Sequence, residues 1–243
     1  MNYFLEIYGT LPRAGPGSDA LTRKAFELLG PLPGSPRILD LGCGPGVQTL
    51  ELLRLSAGSV VAMDLLPEMT DRLSRAAHGA GVAERLEVRV EDMNAMSFPP
   101  NSFDIIWSEA AIYNMGFENG LQQLQTFLKP GGFVVVSDAV WTKADPPPEV
   151  ADFWREYPEM DTVENKLDVI KRVGFEPVGH FLFPSGAWTE QYYDPMEARI
   201  AAKAKEWQGN AEAEAVLAEA RKEISLFRRF SDYFNYAFFV MRL

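Results

Sequence analysis

The segment Ile38-Leu39-Asp40-Leu41-Gly42-Cys43-Gly44-Pro45-Gly46 restricts this chain more than any other. An apolar run enters a turn with glycine at every second position, and an apolar-periodic stretch from Val47 to Leu55 follows at once. The pattern predicts a strand, a tight turn and a helix. Glycines belong in such a turn where the backbone bends in ways other residues resist and where a ligand must come close to the main chain. The helix starting near Val47 aims its free amides and the positive end of its dipole at the same place. A dinucleotide loop would be spaced GxGxxG around a pyrophosphate. This one reads Gly42-x-Gly44-x-Gly46, with Asp40 two residues before the first glycine.

The alternation continues along the chain. Strands are expected at Val60–Met63, Leu86–Val90, Phe103–Trp107 and Phe133–Ser137, with helices at Glu68–Ala77 and Leu121–Leu128. Strands separated by helical segments imply crossover connections and a mainly parallel sheet covered on both faces. Beyond Asp138, the run Pro146-Pro147-Pro148 marks a linker or hinge. A helix over Val163–Val173 is expected to end at Gly174, followed by a strand over Glu176–Phe183. Met196–Phe230 is rich in Ala, Glu, Lys and Leu and reads as helix broken at Gly209-Asn210; Tyr233–Met241 reads as a closing strand.

At 243 residues the chain suits one domain with decorations rather than two enzymatic domains. A net charge of -11 disfavours nucleic acid and anionic membranes as partners. The densest basic cluster, Arg221, Lys222, Arg228 and Arg229, is interleaved with Glu219 and Glu223 at helical spacing and reads as a solvated helix face. Cys43, the single cysteine, excludes an internal disulfide, and no Cys/His spacing suits a metal. Met1–Leu11 has no leader-like pattern, and no stretch nears the roughly 20 apolar residues of a membrane span. A reduced, cytoplasmic setting is the expectation.

Asp40-Leu41-Gly42-Cys43-Gly44-Pro45-Gly46 resembles motif I of the class I S-adenosylmethionine (SAM)-dependent methyltransferases. Asp64, Glu91-Asp92-Met93 and the LKPGG-like turn Lys129-Pro130-Gly131-Gly132 follow in the order of that family, so the resemblance runs from about Pro36 to Asp138. It implies a Rossmann-like α/β fold: a mainly parallel, seven-stranded sheet with helices on both faces and an antiparallel C-terminal strand. It also implies a single domain over 1–243, with a SAM-binding core at about 36–138. Residues 1–35 and 139–195 would form an acceptor-side elaboration, and 196–243 a C-terminal helix and strand.

By the same resemblance Asp64, with Leu65 beside it, meets the ribose hydroxyls, while Glu91, Asp92 and Met93 meet the adenine. Asp40 orients the loop formed by Gly42, Cys43, Gly44 and Gly46 and lies near the amino group of SAM. Cys43 itself reads as a small space-filler rather than a nucleophile. A second resemblance, carried by Ser108 to Glu118 together with Gly15-Pro16-Gly17-Ser18, is to a subgroup of small uncharacterised SAM methyltransferases. It implies that Arg13 to Ser18 folds over the methionine end of SAM, with Arg13 pairing its carboxylate. Ser18 and Ser108 then count among the cofactor residues. The competing reading is a surface turn leading into a helix over Asp19–Leu29.

SAM carries its own driving force, so the expected catalytic device is positioning, with S-adenosylhomocysteine (SAH) as product. Neither histidine suggests a catalytic pair: His78 reads as a helix-end cap and His180 as a structural strand residue. Glu109 and Tyr113, after the fourth strand, are the candidates for a general base. A structural pairing of Glu109 is the alternative, and an amine acceptor arriving deprotonated needs no base. Trp141, Trp154, Tyr157, Trp188, Tyr192 and Tyr193 suit a flat or cationic small molecule, or simply a core. The expected partner is a small-molecule methyl acceptor, and a homodimer is left open. Two other functions stay in view: a non-catalytic SAM-binding protein and an NAD(P)-dependent oxidoreductase.

Overall fold

In a computed structural model that describes residues 2–243, Met1 of the Met1–Leu11 stretch lies outside the described residues. The remaining chain forms one mixed sheet with helices on both faces. The strands are β1 (Arg37–Leu41), β2 (Ser59–Asp64), β3 (Leu86–Val90), β4 (Phe103–Glu109), β5 (Leu128–Trp141), β6 (Asp161–Thr162), β7 (Glu176–Leu182) and β8 (Phe234–Arg242). The helices are α1 (Tyr3–Ile7), α2 (Asp19–Glu27), α3 (Val47–Leu55), α4 (Pro67–Gly79), α5 (Phe117–Phe127), α6 (Pro148–Phe153), α7 (Val163–Arg172), α8 (Gly186–Trp188), α9 (Asp194–Glu206) and α10 (Ala211–Phe230).

The strand order is β3-β2-β1-β4-β5-β8-β7, with β6 pairing β5 beside this path. β1 to β5 run parallel, and β8 is antiparallel to both β5 and β7. The sheet therefore has eight strands where seven are expected, the addition being the two-residue β6. All of β4 is buried because it is central and covered on both faces, whereas β7 alternates between exposed and half-buried residues as an edge strand does.

The pleat divides the apolar residues between two cores. Ile38, Val60, Ile105, Trp107 and Val135 join one core, which continues into the apolar faces of α2, α3, α9 and α10. Leu39, Val61, Ile106, Val134 and Val136 join the other, against α5 and α7. β1 sends its crossover through α3 to β2 on one side, while the chain returns to β4 on the other. A crevice opens at the carboxyl ends of such neighbouring strands. Here those ends are Leu41 and Glu109.

Several boundaries depend on distant groups. α5 starts at Phe117, earlier than expected, because the Glu159 carboxylate accepts from the amides of Phe117 and Glu118. β5 extends to Trp141 because β8 pairs with it from Phe133 through Trp141. Pro148 takes the first turn of α6, where a missing amide costs nothing. The long C-terminal helix does break at Gly209-Asn210, and the Asn210 side chain accepts from the Ala213 amide to start α10. His78 caps the end of α4 by a bond between Nδ1 and the Ser74 carbonyl oxygen, and His180 lies in β7. Among the described residues, no helix is long and apolar enough to cross a membrane.

Candidate active site

The glycine turn bends so tightly because side chains already occupy the space around it. Gly42, Gly44 and Gly46 all have positive φ, and a Cβ on Gly42 would lie 2.4 Å from that of Ala111. Asp64 ties the turn to β2: its Oδ2 accepts from the Gly44 amide at 2.9 Å and its Oδ1 from the Leu66 amide at 3.0 Å. Each oxygen keeps a further lone pair. Gln48 secures the other side by donating to the Cys43 carbonyl at 2.9 Å. Above the turn is a cavity of about 470 Å³, lined by Gly42, Cys43, Gly44, Asp64, Leu65, Glu91, Asp92, Met93, Glu109 and Tyr113 among others. Leu65 is 64% exposed there, an apolar side chain at the cavity mouth. Phe4 and Tyr8, stacked at 4.4 Å between centroids, close the opposite wall.

A second cavity of about 590 Å³ adjoins the first. Ala14, Gly15, Pro16, Ala110, Tyr113 and Asn114 line both and form the neck between them. The walls of the second cavity are aromatic, including Trp154, Tyr157, Trp188, Tyr192, Tyr193 and Tyr236. Its charged lining groups are Asp138, Glu156 and Glu223.

Asp138 is fully buried and accepts from Tyr157 and from Lys166, both at 2.5 Å, while its Oδ1 has no partner. Burial pushes the Asp138 carboxyl above its usual range, against the pull of the Lys166 ammonium. Lys166 is itself 1% exposed and also donates to the Glu159 carbonyl at 3.0 Å. Glu223 accepts from Tyr8 and Tyr193, each at 3.2 Å. Burial raises its carboxyl above the usual range, and these phenol donors lower it in part.

The methyltransferase domain family matches residues 38–132. A sterol 24-C-methyltransferase of Gibberella zeae is 25% identical over 67% of this chain and 45% of its own length. A phosphoethanolamine N-methyltransferase of Triticum aestivum is 29% identical over 67% of the chain and 32% of its own length. The chain thus spans less than half the length of these curated relatives. A SAM-dependent methyltransferase of Geobacter sulfurreducens, solved with SAH, shares the fold with a TM-score of 0.85 at 18% identity, covering 99% of this chain and 97% of that one. Residues 38–132 thus match a methyltransferase domain, and the chain as a whole has the fold of that SAM-dependent methyltransferase.

Several expected site residues do not reach the cavity. Ser18 caps α2 by accepting from the Leu21 amide at 3.3 Å. Ser108 is buried between β4 and β1, donating to the Leu41 carbonyl at 3.1 Å. Gly46 serves the turn, since a Cβ there would lie 2.2 Å from Leu73 Cδ1. Asp40 is fully buried behind the loop, with Oδ2 accepting from Thr49 at 2.5 Å and Oδ1 unpartnered. Burial pushes its carboxyl up to about 7.

Arg13 does line the first cavity, but its guanidinium is engaged by Glu109 at 3.1 Å and Asp19 at 2.9 Å, so the chain's own carboxylates take the fork meant for a ligand carboxylate. Nor is the Arg13–Ser18 stretch a surface turn: the Gly17 amide is bonded to the Ala187 carbonyl at 3.0 Å.

The candidate bases Glu109 and Tyr113 both line the first cavity. Glu109 receives Arg13 at 3.1 Å, Thr22 at 2.7 Å and the Trp107 indole at 2.9 Å, so its oxygens are taken up in fixing Arg13. Tyr113 lies at the neck, and burial raises its phenol above the usual value, so it stays protonated at neutral pH. The Cys43 thiol, pushed up by burial and then by Asp40 and Asp64, is not a nucleophile. The solvated-face reading of Glu223 also fails, because its side chain turns into the second cavity. Asp138 and Lys166 are the polar residues here that the sequence left without a role. Among the described residues, no group of three or more His, Cys, Asp or Glu is placed to hold a metal.

Proposed function

We propose that this protein transfers a methyl group from SAM, bound in the first cavity, to a small-molecule acceptor in the second. The carrying observation is the shared neck at Gly15, Pro16, Ala110 and Tyr113, which gives two ligands a single point of meeting. The first cavity suits SAM in the chemistry of its walls: backbone open to close approach at Gly42 and Gly44, spare lone pairs on Asp64 for ribose hydroxyls, and apolar flanks at Leu65 and Met93 for the adenine. Glu91 and Asp92 lie on the same wall and offer acceptors for the adenine amino group. Bound there, SAM supplies a methyl group activated by its sulfonium.

The chain's own residues have three tasks. The glycine turn and Asp64 fix the donor end, the aromatic walls exclude water, and the neck aligns the two reactants. Glu109 contributes by holding Arg13 on the cavity wall, as a positioning residue rather than a base. The names of the sterol and phosphoethanolamine relatives support a small-molecule acceptor.

Calorimetric titration with SAM, SAH and NAD is the test. The expected result is micromolar binding of SAM and SAH without NAD, followed by methyl transfer to a member of an acceptor panel. Binding of NAD alone overturns the proposal. SAM binding without turnover on any acceptor moves the protein to the non-catalytic SAM-binding class.

A further inference from the structure

We propose that the second cavity recognises an ammonium group and that Glu223 is the residue that holds it. This rests on the reading of that cavity as the acceptor site. Glu223 lies on the inner side of α10, near Ala220, Ile224 and Phe227, which are all buried. An acidic side chain on the apolar face of a helix is costly unless something compensates its charge. Among the described residues, no lysine, arginine or histidine forms an ion pair with Glu223; its neighbours are the neutral phenols of Tyr8 and Tyr193, which donate to it, and of Tyr192. Neutral phenols compensate a carboxylate only in part, so a cation arriving in the cavity completes the set.

The rest of the lining supports the same sign. Asp138 already has Lys166, and Glu156 sits exposed at the rim, so Glu223 is the enclosed carboxylate without a cation of its own. Among the described residues, no lysine or arginine lines this cavity, so a phosphate or carboxylate on the ligand would find no counter-charge there. Tyr192, Tyr193, Tyr236 and Trp188 add aromatic surface, which attracts cations through its negative faces. The ligand class is therefore a small amine, protonated when it binds, with an apolar or aromatic body and without an anionic group. Glu223 also links the cavities, since Tyr8, its partner, lines the first cavity while Glu223 lines the second.

The test uses the full chain saturated with SAH and titrated with matched probes: phenethylammonium, 2-phenylethanol and phenylacetate, with the same three head groups on indole and alkyl bodies. Ammonium members are expected to bind about tenfold or more tightly than the neutral ones, with the anionic ones weakest. Glu223→Gln, which keeps the shape and an acceptor for the phenols, should erase that preference while leaving SAH affinity and the melting temperature close to wild type. Tyr193→Phe removes a neutral competitor for the carboxylate and should keep or strengthen the preference; a purely structural Glu223 would lose binding in both variants alike. Neutral or anionic probes binding as well as ammonium ones, no probe binding at all, or an unchanged preference in Glu223→Gln each overturn the proposal. Failure to bind SAH is a separate result, which strikes the methyltransferase reading instead.

Discussion

Asp40 and Asp64 end neighbouring strands, and their surroundings set them to different tasks. Asp64 faces the cavity and organises two backbone amides. Asp64→Ala should weaken SAH binding roughly tenfold to a hundredfold, the value of about 1.5 to 3 kcal/mol for a hydrogen-bonded charged contact. Unaltered calorimetric affinity in a folded variant would remove Asp64 from the site. Asp40, buried with one oxygen unpartnered, has a carboxyl raised to about 7. Because the folded value lies above the unfolded one, folding takes up a proton, and this contribution is fully present only below the unfolded value and is lost as pH rises through about 7. Wild type should therefore lose melting temperature relative to Asp40→Asn between about pH 4 and pH 7, the span between the unfolded and folded values. Parallel melting curves across that interval would show that Asp40 stays charged.

At the scale of elements, the glycine turn works as a joint between helices as well as a cradle. Gly46 opens α3 with φ at 88° and lies against Leu73 of α4, where an added Cβ has no room. Gly46→Ala should cost about 2 to 4 kcal/mol, from left-handed strain and overpacking together, measured by urea unfolding. A cost under about 1 kcal/mol would mean that α4 gives way freely. The elements built on local pattern were legible in the sequence: β1 to β5, α3, α4 and the break before α10 all follow from apolar period, glycine and caps. The elements fixed from a distance were not. Glu159 begins α5 from another part of the chain, β6 is two residues long and exists only by pairing β5, and α1 is held by contacts with α9 and α10. The site divides along the same line. The glycine loop and Asp64 follow one another in a readable order, whereas Glu223 reads as part of a solvated helix face and Lys166 carries no signal, and only packing turns them inward.

Across the whole molecule, the first helix, α1, and the turn after it meet the late helices α9 and α10 beside the site. Arg199 donates to the Glu6 carbonyl at 2.8 Å and to its carboxylate at 2.9 Å, Tyr3 packs edge-on against Trp207, and Tyr8 reaches Glu223. The sheet takes no strand from α1, so deletion of residues 2–8 should leave the far-ultraviolet dichroism almost intact while weakening SAH binding, because Phe4 and Tyr8 leave the cavity wall. Equal affinity in the shortened chain would show that α1 does not enclose the ligand. The position of β8 has a consequence of another kind. It is the last strand in chain order, yet it fills an interior slot between β5 and β7. As the chain leaves the ribosome, β1 to β5 can assemble first, but the apolar edge of β5 then stays open until residues 234–242 arrive to seal it. Synthesis that halts shortly before Phe234 thus leaves a sheet with an adhesive margin, and its fate is to join its neighbours rather than to fold.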